Sequence, residues 1–120
     1  MKVLVIEPEK APVVRDISGT LESMQQLVGG TIQAIYPFDK PVALICNDEG
    51  KLLNLPMNRT LPEIQDIIFG TFFLCGAPPD KSCFTSLTAT QTAHYTERFC
   101  FPECFLQMED GALFILQFDC

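Results

Sequence analysis

The chain has 120 residues, 48% of them hydrophobic, with 8 Lys and Arg against 15 Asp and Glu and a formal charge of −7. That is material for one hydrophobic core and too little for two ordinary domains, while 10 Phe residues and a charged fraction of only 19% exclude an intrinsically disordered chain. The acid excess argues against DNA or RNA as a partner, because nucleic-acid affinity comes largely from Lys and Arg displacing counterions.

The run Val3-Leu4-Val5-Ile6 predicts a buried first strand. It is too short before Glu7, and lacks the small-residue cleavage site, to read as a signal peptide. Lys10 to Ile17 clusters β-branched residues after a Pro-containing turn and predicts a second strand hairpinned to the first. Leu21, Met24, Leu27 and Val28 fall on one helical stripe that ends at Gly29-Gly30, so an amphipathic helix is expected, with Glu22, Ser23, Gln25 and Gln26 on its solvated face. Thr31 to Tyr36 alternates like a half-buried strand, and Pro41 to Cys46 is a denser apolar run suited to a sheet interior. The turn Asn47-Asp48-Glu49-Gly50 reverses the chain into Lys51 to Leu55, read as a fifth strand. Thr60 and Glu63 are spaced as a capping box ahead of Ile64, Ile67 and Ile68, which predicts a short helix ending at Gly70. Thr71 to Cys75 is strand-like and leads into a loop stiffened by Pro78 and Pro79. Thr88 and Gln91 cap a further helix past Ala93, Tyr95 and Phe99 that stops before Pro102. Phe105 to Phe118 then carries Asp110-Gly111 between apolar flanks, the signature of a tight hairpin.

No repeat, low-complexity stretch or linker divides these pieces. The expected fold is a single α+β domain, mainly an antiparallel sheet with two or three short helices. Residues 1–102 form its compact body and 103–120 an apolar, acidic C-terminal extension of the same domain. The extension holds Glu103, Glu109, Asp110 and Asp119 and no Lys or Arg. Such a terminus is an aggregation hazard as a bare edge, so Phe105, Leu113, Phe114, Leu116 and Phe118 are expected to be buried or to form a homodimer interface. No uncharged apolar run approaches the roughly 18 residues that cross a bilayer. A cytoplasmic chain with no membrane contact is the expectation.

Six cysteines in a chain without secretory features read as core hydrophobes or metal ligands. Cys46 and Cys75 lie inside apolar runs and fit the core. Cys83, His94, Cys100 and Cys104 are the available zinc set, but their spacing contains no CxxC knuckle, so no metal and no cofactor is expected, and His94 reads as a partly exposed helix residue. Gly29-Gly30 follows a helix, where it acts as a C-cap; a phosphate cradle would precede one. Asp48 and Glu49 are turn neighbours that point apart, and no Gly-x-Ser-x-Gly elbow is present, so no catalytic residue is assigned. Asn58-Arg59 is the more suggestive pair. A guanidinium beside an amide, between a strand and a helix start, could hold the carboxylate or phosphate of a small molecule. Tyr36 would supply an aromatic wall and Asn47 a further polar contact, against the plainer reading of turn, surface and core residues.

Several segments together carry a family resemblance: Lys2-Val3-Leu4-Val5-Ile6-Glu7-Pro8, Gly19-Thr20-Leu21 to Leu27-Val28-Gly29-Gly30, Asn47-Asp48-Glu49-Gly50-Lys51-Leu52 through Leu55-Pro56-Met57-Asn58-Arg59, and Asp66-Ile67-Ile68-Phe69-Gly70-Thr71-Phe72-Phe73. Over nearly its first hundred residues the chain resembles the domain-of-unknown-function family 3846. The resemblance implies small proteins of Firmicutes genomes associated with phages and other mobile elements, a shared fold and no assigned activity. Past about Phe101 the apolar tail departs from it. By analogy of context, the expected function is that of a non-enzymatic binding protein, sequestering a small nucleotide-like ligand or blocking a host factor. The alternative is an assembly protein that oligomerises through its C-terminal apolar segment, and a small hydrolase or zinc protein ranks last.

Overall fold

The computed structural model describes residues 1–117. In chain order it contains β1 (Lys2–Ile6), β2 (Val13–Asp16), α1 (Leu21–Val28), β3 (Ile32–Ile35), β4 (Val42–Asn47), β5 (Met57–Leu61), a 3-10 turn (Pro62–Ile64), β6 (Asp66–Phe69), β7 (Phe72–Gly76), α2 (Ala89–Arg98), β8 (Glu103–Gln107) and β9 (Leu113–Gln117). The fold is α+β, as its strand-rich sequence with two capped helices requires.

Three segments, β1, β4 and β7, are apolar on both alternating faces and therefore occupy the middle of a five-stranded antiparallel sheet ordered β2-β1-β7-β4-β3. The register aligns Leu4, Leu74 and Leu44 in one cross-strand row and Val5, Phe73 and Ile45 in the next. Because side chains alternate along a strand, these rows face opposite ways and feed two cores. Val3, Val5, Ala43, Ile45, Phe73 and Cys75 pack under Met24 and Val28 of α1. Leu4, Ile6, Val42, Leu44, Phe72 and Leu74 meet Leu61, Ile68, Tyr95 and Phe99, so α2 and the β5–β6 hairpin cover the second face. The aromatic rings there meet edge-on or tilted, with centroids 4.8 Å apart for Phe38 and Tyr95 and 5.6 Å for Phe72 and Phe99, an arrangement that complements the ring quadrupoles.

Both helices start where their caps place them. Thr20 accepts a hydrogen bond from the Ser23 amide at the start of α1, and Thr88 with Gln91 forms a reciprocal capping box on α2, satisfying amide donors that a helix end leaves free. Of the apolar stripe expected on α1, Met24 and Val28 are buried, whereas Leu21 is exposed.

Two expected elements differ. Residues 51–55 form a coiled turn in place of a fifth strand: Leu53 donates to Glu49 at 2.8 Å and Leu55 to Gly50 at 3.0 Å. The segment closes on these local backbone bonds, and Leu52 stands 84% exposed. The helix expected to begin at Thr60 is instead the hairpin β5–β6. Pro62 opens only a single 3-10 turn, and Gln65 adopts φ +52, a left-handed conformation that reverses the chain. The Ile64, Ile67, Ile68 spacing that imitates a helical stripe is split, with Ile64 in the 3-10 turn and the β-branched Ile67 and Ile68 on β6. Gly70 turns the chain from β6 into β7 at φ +83, and a Cβ there would lie 2.8 Å from Leu55 Cδ1, so both backbone and space require glycine.

Since Phe73 fills the centre of the α1 core, Phe73→Ala is expected to lower unfolding free energy by about 3–5 kcal/mol in urea titration, while Leu52→Ala should change it by less than about 0.5 kcal/mol.

Candidate functional site

Alternation in β5 would put Asn58 and Arg59 on opposite faces. A bulge between Met57 and Arg59 breaks the register and lets both turn inward, where they are 0% and 1% exposed. The Asn58 amide donates to the carbonyls of Ile6 at 2.8 Å and Gly70 at 2.9 Å, tying the end of β1 to the β6–β7 turn. Its Oδ1 accepts from Arg59 Nη1 at 2.9 Å. Arg59 Nη2 donates to the Lys10 carbonyl at 2.6 Å and the Phe99 carbonyl at 3.1 Å, joining the β1–β2 turn to the C-terminal end of α2. Nη1 also reaches the Asn58 carbonyl at 3.3 Å, and Nε has no hydrogen-bond partner among the described residues.

The Arg59 guanidinium is thus held by neutral oxygens. Burial lowers its pKa from the usual arginine value, and the Glu103 carboxylate opposes that shift; the group stays charged. Glu103, only 4% exposed, accepts from the Thr60 amide at 3.2 and 3.3 Å and from Thr60 Oγ1 at 2.7 Å. Asn58, Arg59 and Thr60 therefore clasp the ends of β1, α2 and β8 to one strand.

The four residues expected to bind a ligand do not share a cleft. Tyr36 is exposed and borders a shallow cleft of about 280 Å³ formed with Ala77, Pro78 and Phe84. Asn47, at the end of β4, borders another of about 170 Å³ with Gln33, Lys51 and Asp66, and its amide is occupied by the Val28 carbonyl at 3.2 Å and the Glu49 amide at 2.8 Å. Asn58 and Arg59 border neither cleft, and all of their side-chain polar atoms except Arg59 Nε are hydrogen-bonded within the fold. Lys51 and Asp66, both lining the second cleft, pair at 2.5 Å. That bond is the main reason the Asp66 carboxyl titrates below the usual carboxylate range.

Among the described residues no three His, Cys, Asp or Glu side chains converge as a metal site. Of the zinc set, Cys83 and His94 are exposed and Cys104 is half-buried; the His94 ring stands edge-on to Tyr95 at 4.8 Å. Cys46 and Cys75 lie in the core, where burial pushes their thiols up to about 11 and about 12, the Cys46 thiol raised further by Asp48 and Asp66. Among the described residues no helix is long and apolar enough to cross a membrane.

The C-terminal segment presents the opposite chemistry. Strands β8 and β9 pair only with each other among the described residues, and the resulting hairpin leaves all five residues of β9 exposed. Leu106, Met108, Leu113, Phe114, Ile115 and Leu116 are between 38% and 55% exposed. Phe105 is half-buried, and Phe118 lies outside the described residues. The loop is closed by Gly111 N–H to the Met108 carbonyl at 3.0 Å, with Gly111 at φ +89, as in the common three-residue hairpin connections. What the sequence reading missed is the carboxylate at the hairpin's base: Glu103 carries no local pattern, since its partner Thr60 is 43 residues away.

A self-bonded polar clasp inside a two-faced antiparallel sheet, with an apolar hairpin outside it, defines a small α+β protein whose polar interior is structural. The chain belongs to the family described as domain of unknown function DUF3846, whose model matches residues 1–100. The match covers both helices and the whole central sheet and ends before β8. Searches of the curated proteins and of the solved structures found no match.

Lysine at position 59 could satisfy only part of this set of carbonyls, so Arg59→Lys is expected to cost about 2–4 kcal/mol of stability in urea titration. Iodoacetamide at mildly alkaline pH should modify Cys83 in the folded protein and leave Cys46 and Cys75 untouched until urea unfolds the chain, as peptide mass mapping would read.

Proposed function

We propose that the protein is a non-enzymatic association module, a rigid body that carries an apolar β-hairpin as its contact element. The observation that carries this reading is the exposure of Leu113-Phe114-Ile115-Leu116 along one strand. Apolar side chains scattered singly on a surface need no explanation, but a contiguous strip on an unpaired strand is a contact surface or a liability. The same strip lies beyond the residues that match the family, so it adds to a body whose core is closed without it.

The buried polar groups support the same view from the other side. Asn58 and Arg59 hold chain segments together, and the clefts at Tyr36 and Asn47 are small and separate, which favours association over sequestration of a small ligand. For a chain of mobile-element type, association means assembly with its own kind or capture of a host protein.

A contact role and a core role predict different stabilities for the hairpin. In dilute protein, Phe114→Ser should change unfolding free energy by no more than about 0.5 kcal/mol, as a surface substitution does. A loss of about 3 kcal/mol or more, the size expected of a core aromatic, would show that the hairpin serves the fold, and the reading would fall.

A further inference from the structure

Resting on that reading, we infer that the hairpin's partner is a second copy of this chain, added edge to edge as an antiparallel β9–β9 pair centred on Ile115. The direction of the free backbone groups comes first. Met108 donates to the Ala112 carbonyl at 2.8 Å, so this pair belongs to the hydrogen-bonded sites of the hairpin ladder. Such sites alternate along an antiparallel pair. With the register Gln107 to Leu113, Leu106 to Phe114, Phe105 to Ile115 and Glu103 to Gln117, Phe114 and Leu116 bond inward to β8. The N–H and C=O groups of Leu113, Ile115 and Gln117 then point outward from the open edge.

An edge that exposes three outward residues with Ile115 in the middle is complementary to itself under a two-fold axis. Ile115 pairs with Ile115 of the other copy, Leu113 with Gln117 and Gln117 with Leu113. Every outward group opposite another finds a partner. Phe114 then lies beside Leu116 of the other copy, an aromatic–aliphatic pair on the side of the sheet shared with Leu106. The strand carries none of the features that blunt an edge: residues 113–117 contain no Lys, Pro or carboxylate, and their pairing with β8 has no bulge. A two-stranded hairpin is marginal alone, and pairing yields four strands.

The charges of the hairpin tip favour one direction. Two copies of net charge −7 repel, and carboxylates flank the uncharged strip in the sequence on both sides, Glu109 and Asp110 at the hairpin tip and Asp119 past Gln117. Parallel pairing would set the two tips side by side. Antiparallel pairing sends them to opposite ends, roughly 25 Å apart or about three Debye lengths at physiological salt.

Sedimentation equilibrium of the full chain tests this. The wild type is expected to move from monomer to twice the monomer mass as its concentration rises to the submillimolar range. Ile115→Pro removes an outward N–H and leaves the inward ladder to β8 intact, so it should stay monomeric with an unchanged near-UV circular dichroism spectrum. Register is read by oxidation. Ile115→Cys faces its own mate about 5.5 Å away across the axis, within disulfide reach, and should form a covalent dimer above the wild-type background. Leu113→Cys, which faces Gln117, should not. A wild type that remains monomeric throughout, or a dimer that survives Ile115→Pro without an Ile115→Cys crosslink, would overturn the pairing. If Phe114→Ser has meanwhile behaved as a surface substitution, a monomeric wild type removes self-pairing alone and leaves the hairpin as a contact element for a different protein.

Discussion

Taking a guanidinium out of water costs several kcal/mol unless its donors find acceptors in the interior, and Arg59 is 1% exposed with no carboxylate of the described residues bonded to it. Its acceptors are carbonyls contributed by the β1–β2 turn, the end of α2 and its own neighbour Asn58. None of these would converge on one point without the charge between them. Asn58 extends the same constraint to the ends of β1 and β6. The bulge in β5 follows from it, because without the extra residue one of the two side chains would face solvent. A carbonyl cage around a permanent cation also has a directional consequence: the guanidinium is planar, so the segments it joins are fixed in angle as well as in distance.

Much of this body is legible in the sequence because its main signals are local. Apolar runs at residues 3–6, 42–46 and 72–75 place the central strands, and Thr20, Thr88 and Gln91 place both helix starts through bonds that span only three residues. The hairpin at Asp110-Gly111 is equally local. The errors arise where a local pattern has two solutions. Thr60 and Glu63 have the spacing of a capping box, but Thr60 bonds Glu103 and Glu63 bonds Arg98 at 3.0 Å. Long-range partners there override the short-range signal. Asn58 and Arg59 stand out in the sequence for the correct chemical reason, an amide beside a guanidinium. Nothing in the residues themselves distinguishes a carbonyl cage from an anion site, since both use the same donors.

Body and hairpin divide the molecule by chemistry. The body pairs its polar groups inward and covers both faces of its sheet, whereas the hairpin keeps apolar side chains outward on an open edge. They meet at Glu103, whose carboxylate closes on Thr60, the residue next to Arg59. A buried carboxylate near a buried guanidinium, with Thr60 between them in the chain, fixes the base of the hairpin while leaving its far end free of the core.

The position of β7 between β1 and β4 also governs the order in which the molecule can be completed. Leu4 and Leu44 share a row only through Leu74, so a nascent chain must reach the middle of β7 before its first strand acquires a lasting neighbour on that side. Until then β1 with its hairpin partner, and β4 with β3, are two half-sheets with open apolar edges, separated by the loss of loop entropy that closing them requires. The central strand is therefore a late keystone on the ribosome, and the interval between the synthesis of β4 and that of β7 is when this chain is most exposed to pairing with the wrong strand.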